Sequence, residues 1–198
     1  MFALFPVGLA SQGAPPDSVV FLLAATSHFE VTTGKAGLLG FAGHDHRIRA
    51  RAVAGHIVYR PGAPTTSRVE IVVPADSLEV LTPADTAEIR QVTAALQADV
   101  LHVARYPEIR FVSTAMTPTP DGLRVQGALT LAGETRDVSV AVALTVSGDT
   151  LRATGTFPVR QTDFGITPYR GGPAGTVRVA DRVTIEFEAL GIAQGRPQ

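Results

Sequence analysis

From residue 45 onward, apolar and polar side chains alternate along one segment after another, with the two-residue period of a β-strand. In residues 182–188, for example, Val183, Ile185 and Phe187 alternate with Arg, Thr and Glu. Neighbouring side chains of a strand point to opposite faces, so each such segment has one apolar face. The pattern predicts eight strands, at 19–32, 46–52, 68–73, 108–115, 123–131, 137–146, 151–159 and 182–188.

Short turns join several of these predicted strands. Pro120-Asp121-Gly122, Gly133-Glu134 and Ser147-Gly148-Asp149 carry the residues that tight hairpin loops prefer. Strands joined so closely pair in antiparallel order. Such a set of strands with one apolar face either stacks as a sandwich or closes into a barrel, and closure removes exposed strand edges. A barrel of this size holds packed side chains or one small ligand.

One segment has helical spacing instead, with apolar residues at Ile89, Val92 and Leu96. Residues 82–85, Thr-Pro-Ala-Asp, supply an N-cap, a proline at the first helical position and an acidic residue after it. Pro107 prevents continuation. We expect one helix, at about 84–98, in a crossover that either covers an end of the barrel or lies on its surface without a role in binding.

Composition excludes several functions. The 198 residues include no Cys, which excludes a disulfide scaffold, a Cys-ligated zinc site and a cysteine nucleophile. The formal net charge of -1 gives no general attraction to nucleic acid or to an anionic membrane. No Gly-x-Ser-x-Gly or His-Glu-x-x-His motif occurs. We predict a protein that is not an enzyme and needs no cofactor. A hydrolase using Ser113 or Thr114 with a histidine is the disfavoured alternative.

The N-terminal residues 1–16 carry no charge. Their apolar start, followed by small and turn-forming residues, is typical of the end of a secretory signal peptide, and a disordered tail is the alternative. No apolar run reaches the roughly 18 residues that a membrane helix needs. We therefore expect no membrane span, one barrel domain at 17–193, and a short tail at 194–198.

Four pieces of the sequence carry a family resemblance when taken in order. They are Phe29-Glu30-Val31 with Gly43-His44-Asp45-His46, the segment Tyr106–Thr114, the segment Gly127–Thr135, and Gln161–Ile166 with Val183–Phe187 closing the chain. Over about residues 19–192 the chain resembles the YceI-like family. The resemblance implies a lipocalin-like antiparallel barrel, a periplasmic or secreted location, and an internal tunnel for a polyisoprenoid or another amphiphile. His102 departs from the family, which often has an acidic residue there.

We accordingly predict binding, transport or sequestration of an isoprenoid or fatty-acid-like amphiphile. Small residues on the predicted inner face either leave volume for this ligand or let large neighbours interdigitate; they are Ala50, Ala52, Gly127, Ala153 and Gly155. The family resemblance favours an open tunnel. The predicted ligand-binding residues are Phe29, Val31, His44, His46, Ile48, Ile109, Phe111, Leu129, Val140, Val142, Phe157, Phe164 and Phe187.

His44-Asp45-His46 has three interpretations. On an extended chain, His44 and His46 share a face, and by parity with Ile48 that face is the interior. The two imidazoles then chelate a metal or haem with a third ligand, hydrogen-bond the head group of a lipid, or bond the backbone at the barrel rim. The preceding loop has glycine at every third position from Gly34 to Gly43. Its apolar residues cover the barrel's own interior or its mouth, or pack on a second subunit in a homodimer.

Overall fold

The computed structural model describes residues 17–35, 46–81, 86–171 and 177–195. These residues form one α-helix, a π-helical turn at Leu96–Val100, and three 3-10 turns, at Pro64–Thr66, Ala75–Ser77 and Gln161–Phe164. The helix is α1 (Thr86–Ala95). The strands are β1 (Val19–Leu23), β2 (His28–Lys35), β3 (Arg47–Ala50), β4 (Ala54–Tyr59), β5 (Arg68–Pro74), β6 (Leu78–Val80), β7 (Glu108–Thr119), β8 (Gly122–Leu131), β9 (Glu134–Ser147), β10 (Thr150–Arg160), β11 (Arg170–Gly171) and β12 (Val177–Ala193).

The sheet closes on itself. Its order runs β1-β4-β5-β7-β8-β9-β10-β12, and β12 pairs again with β1, with every pairing antiparallel. Three barrel strands are bent and consist of two segments each, namely β1 with β2, β3 with β4, and β5 with β6, whereas the other five are single segments. The predicted eight-stranded antiparallel barrel with one helix is confirmed.

The predicted alternation sets the faces of most strands. On β8 and β10, for instance, Leu123, Val125, Leu151 and Val159 are all buried. The inward residues of the strands form one continuous core cluster and two smaller ones. Because each strand buries one face only, a two-residue sequence period is enough to identify the inner set.

β7 breaks this alternation. Its register against β8 shifts between Ser113 and Ala115, so one extra residue lies on β7. The two-residue period of the sequence places Ala115 on the same face as Phe111 and Ser113, but after the bulge Met116 is buried and Ala115 is exposed. The hydroxyl of Ser113 accepts a hydrogen bond from the N–H of Val69 on β5, 2.9 Å away. This bond fixes the bulge to the neighbouring strand.

α1 covers the edge of β6. The strand β6 pairs with β3, and the helix provides hydrogen-bonding side chains along its other edge. The N–H of Val80 donates to the hydroxyl of Thr93 at 3.2 Å, and the Gln97 amide donates to the carbonyls of Asp76 and Leu78 at 2.9 and 3.3 Å. The helix is shorter than predicted because its last residues widen into the π-helical turn.

Some predictions concern residues outside the described part of the chain. They are the N-terminal residues 1–16, most of the glycine-rich loop with His44, the helix cap at 82–85, and the last three residues of the tail. Among the described residues, no helix combines the length and the hydropathy that a membrane-spanning helix requires.

Candidate ligand cavity

A cavity of about 990 Å³ occupies the inside of the barrel. Each of the eight barrel strands contributes to its wall, the bent strand β1–β2 through β2. Val92 of α1 and Leu96 of the π-helical turn close one side. The volume is at the upper end of the roughly 300–1,000 Å³ range of small-molecule sites. Most lining residues are Val, Leu, Ile, Phe and Ala. The interior of this barrel is therefore a predominantly apolar site.

Most of the predicted ligand-binding residues lie on this wall. The eleven that do are Phe29, Val31, His46, Ile48, Ile109, Phe111, Leu129, Val140, Val142, Phe157 and Phe187. They come from β2, β3 with the preceding His46, and the five single-segment strands, and they converge because each has the inward parity of its strand. His44 lies outside the described residues.

Phe164 is the exception, because the structure places it away from the cavity wall. It ends the 3-10 turn after β10 and is buried, at 2% exposure, in the core with Val159 and Ile166. It also lines a separate depression of about 280 Å³ with Asp163 and Arg182. The alternation of a strand gives no guidance at this residue, because the chain has left β10 and follows a turn.

His46 lies at the cavity wall beside Thr33. The Thr33 hydroxyl accepts a hydrogen bond from the His46 N–H at 3.2 Å, and the Thr33 N–H donates to the His46 carbonyl at 3.0 Å. Thr33 is buried, so these bonds fix the backbone of His46 where the chain enters β3. Within the described ranges, no three His, Asp or Glu side chains are grouped as metal ligands.

The inward glycines do not enlarge the cavity. A Cβ atom built on Gly127 would lie 2.5 Å from Cε2 of Phe111, and one built on Gly155 would lie 2.8 Å from Cζ of Phe187. Each glycine is thus a recess that a neighbouring ring fills. Ala52 is exposed and takes no part, whereas Ala50 and Ala153 do line the cavity.

Polar side chains occur at both ends of the cavity. Tyr59 and Ser67 lie at the end where β1 begins, because Val19 pairs with Tyr59. Gln161 and Tyr169 lie at the other end, in the connection that follows β10. The Gln161 amide donates to the carbonyl of Ala180 at 2.8 Å, which orients it. These four residues could not be predicted from alternation, because each lies at a strand end or in a loop, where parity gives no guidance.

A family model described as a YceI-like domain matches residues 23–190. The chain belongs to the YceI-like family. The predicted membership is confirmed by this match. No curated protein sequence matches the chain.

Several solved structures resemble this YceI-like barrel. BcnA of Burkholderia cenocepacia is 21% identical, with a TM-score of 0.67, and the match covers 84% of this chain and 96% of BcnA. A polyisoprenoid binding domain from Saccharophagus degradans is 12% identical, with a TM-score of 0.61 and coverage of 88% and 98%. The YceI protein of Campylobacter jejuni is 12% identical, with a TM-score of 0.58 and coverage of 75% and 85%. At these identities the likeness shows a common fold.

His102, the residue at which the sequence was expected to depart from the family pattern, lies in the turn between the π-helical turn and β7. Its φ is 50°, in the left-handed region, and its side chain is exposed. Its carbonyl accepts hydrogen bonds from the N–H groups of Arg105 and Tyr106 at 2.8 and 3.0 Å. His, Asn and Asp are the side-chain-bearing residues that tolerate this conformation best. The backbone shape of the turn therefore accounts for His102 without any partner for its ring.

On the outer face of the YceI-like barrel, Glu30 binds two arginines. It accepts hydrogen bonds from Arg49 at 2.6 and 2.8 Å and a further bond from Arg47. Burial alone raises the pKa of Glu30, but the hydrogen bonds and positive charges of Arg49 and Arg47 outweigh it and lower the pKa. Since these groups face away from the interior, they stabilise the β2–β3 pairing at the edge of the cavity.

Proposed function

We propose that this protein binds an amphiphilic, isoprenoid-like lipid in the barrel cavity and carries or sequesters it without chemical change. The observation that carries the proposal is the apolar cavity of about 990 Å³ inside the barrel. The polyisoprenoid binding domain of Saccharophagus degradans, which shares the fold, supports the choice of ligand class.

The energetics suit a long apolar ligand. Each buried CH₂ group contributes roughly 0.8 kcal/mol, so one five-carbon isoprene unit contributes about 3–4 kcal/mol. Association costs about 4–15 kcal/mol. Several units therefore exceed this cost, whereas a single unit does not. The wall also has polar groups at its ends, where the head group of an amphiphile can be hydrogen-bonded.

A hydrolase has less support. Ser113, the candidate nucleophile, is buried at 5% exposure and its hydroxyl accepts the N–H of Val69. That bond gives Ser113 a structural role in the β7 bulge. The family membership supports a periplasmic or secreted location, which we include in the proposal. A homodimer through the glycine-rich loop stays a prediction.

Mass spectrometry of organic extracts from the purified protein tests the proposal. We expect a retained amphiphile, or uptake of geranylgeraniol after delipidation. Val140→Phe adds a ring to the cavity wall and should reduce uptake at least tenfold, because the ring takes the volume of several ligand CH₂ groups. Ala141→Phe is the matched control, since Ala141 is exposed on the outer face of the same strand. A wild-type protein that neither retains nor takes up any amphiphile would refute the proposal.

Metal analysis of the same preparation tests the alternative use of the histidines. Stoichiometric metal that is lost on His44→Ala/His46→Ala substitution would support metal or haem handling. Metal content that the substitution leaves unchanged would reject that alternative.

A further inference from the structure

Phe187 lies between a glycine and a second aromatic ring on the cavity wall. Its cross-strand partner on β10 is Gly155, and its partner on β2 is Phe29. A Cβ atom on Gly155 would be 2.8 Å from both Cε1 and Cζ of Phe187, closer than real Cβ atoms approach other atoms. Phe29 stacks on Phe187, with ring centroids 5.7 Å apart and an angle of 16° between the planes. The ring of Phe187 therefore occupies the space above Gly155.

The ring of Phe111 also fills the space above a glycine, Gly127, although the cross-strand partner of Gly127 is Ser113 and that of Phe111 is Leu129. These residues lie on the paired strands β7 and β8, and a Cβ atom on Gly127 would be 2.5 Å from Cε2 of the Phe111 ring and 2.7 Å from the carbonyl oxygen of Val112. Phe111 and Phe187 line the cavity, but neither glycine does, because the rings lie between the glycines and the cavity.

The two recesses are at different heights in the barrel. β9 lies between β8 and β10 and pairs with both, so the positions of the two glycines can be compared along it. Gly127 lies opposite Val138, and Gly155 lies opposite Val142, four residues further along β9. A ligand chain that extends along the barrel axis therefore passes the two rings in succession.

We propose that Gly127 and Gly155 are specificity-determining residues, which keep the rings of Phe111 and Phe187 against the wall and the cavity wide enough for a methyl-branched prenyl chain. This inference rests on the proposed function. A side chain at either glycine displaces the ring, and since the sheet backbone lies behind it, the ring moves into the cavity. The narrowed cavity therefore lowers the affinity for a branched chain more than the affinity for a linear chain, which is thinner.

The size of the effect follows from the behaviour of apolar pockets. A misfit of one methylene-sized group changes binding by about 10–200-fold. A prenyl chain carries a methyl branch on every unit, whereas a linear chain of the same length carries none. The glycines therefore act on the ratio of the two affinities, which a general loss of stability does not change.

The experiment compares two alcohols with main chains of equal length, geranylgeraniol and cetyl alcohol, by displacement of a fluorescent fatty probe from delipidated protein. We expect Gly155→Ala and Gly127→Ala each to lower the affinity for geranylgeraniol at least tenfold, and the affinity for cetyl alcohol by no more than about threefold. Phe187→Leu in the Gly155→Ala background should restore the wild-type ratio, because a smaller side chain leaves room for the methyl group. Gly62→Ala is the control, since no atom lies within 4 Å of a Cβ atom there.

Each outcome is decisive. If the alanine variants lose affinity for both alcohols equally, or for neither, the assignment of specificity to the glycines is overturned, whereas the proposal of lipid binding is not affected. If Gly155→Ala does not fold, we expect the double variant with Phe187→Leu to fold. Its failure would also overturn the inference, because the limit would then be the carbonyl of Ala141, 2.8 Å from the added Cβ, and not the ring. Wild-type protein that binds neither alcohol would instead refute the proposed function.

Discussion

The ring of Tyr106 lies against Gly133, so that a Cβ atom on Gly133 would be 2.8 Å from Cδ1 of the ring. Gly133 also has a φ of 82°, which favours glycine over every other residue. Two of the sequence pieces that carry the family resemblance therefore meet here: the Tyr-Pro segment before β7 and the hairpin between β8 and β9.

Gly133→Ala should lower the free energy of unfolding by about 2 kcal/mol or more, since backbone strain and the displaced ring both contribute. Urea denaturation measures this loss. Gly62→Ala, in an open turn, should change stability by less than about 0.5 kcal/mol. Equal stabilities for the two variants would contradict the packing of Tyr106 on Gly133.

The left-handed backbone at His102 predicts which substitutions this turn tolerates. His102→Val should destabilise the protein by about 1–2 kcal/mol, because a β-branched residue is strained at a φ of 50°. His102→Asn should be close to neutral. Thermal unfolding of the two variants checks the prediction, and a neutral valine would show that the turn relaxes to another conformation.

The hydrogen bond between Thr93 of α1 and Val80 of β6 predicts how substitutions of Thr93 change stability. Thr93→Val should cost about 1–3 kcal/mol of unfolding free energy, because it leaves the N–H of buried Val80 without its acceptor. Thr93→Ser retains the hydroxyl and should cost less. Amide hydrogen exchange at Val80 provides a local readout, and should accelerate in the valine variant relative to serine.

The lowered pKa of Glu30 predicts a stability difference that depends on pH. A carboxyl whose pKa is lower in the folded state contributes stability above its ordinary value of 4.5, and loses it as pH falls through the folded-state pKa. Glu30→Gln should therefore lower the free energy of unfolding by about 1 kcal/mol near pH 7. Two unscreened ion pairs would contribute more, but Arg47 and Arg49 are 54% and 42% exposed, so solvent weakens both pairs. The difference from wild type should shrink below pH 4.5.

Urea titrations from pH 7 down into the acid range measure this difference. Glu188→Gln removes a carboxylate paired with Arg152 across strands where both partners are more exposed, so it is the matched control and should cost less. A cost for Glu30→Gln that stays constant as the pH falls would contradict the assignment to its ionised form.

The charges at the cavity predict the preferred head group. Among the described residues that line it there is no Lys or Arg, whereas Asp99 is one of the lining residues. An ionised head group without a cationic partner is costly to bury. Geranylgeraniol should therefore bind at least tenfold more tightly than geranylgeranoic acid at pH 7. Equal affinities in a probe-displacement assay would indicate that a basic group reaches the ligand.

The sequence predicted the barrel and most of the wall, because inward or outward orientation depends only on parity within one strand. Leu129 and Val140 are typical: each alternates with polar neighbours, and each lines the cavity. The bulge at Ser113 was not predictable in this way. It depends on a hydrogen bond to Val69, which is distant in sequence and next to it only in the folded sheet.

The features that act between strands also escaped prediction. Gly127 and Gly155 were identified as inward residues, but whether a ring fills the recess depends on the register of the adjacent strand. Thr93 and Gln97 resemble surface polar residues of an amphipathic helix. Their partners are backbone groups on the β5–β6 segment, and only the topology brings these groups to the helix.

The position of α1 beside β6 also affects how separate molecules meet. Unpaired N–H and C=O groups along a strand are a template on which another chain can add a strand and start a growing intermolecular sheet. In the described part of this chain, the side chains of Thr93 and Gln97 form hydrogen bonds with such groups: Thr93 with the N–H of Val80, and Gln97 with the carbonyls of Asp76 and Leu78. The helix that closes the wall of the cavity thus also protects the protein from aggregation at this strand.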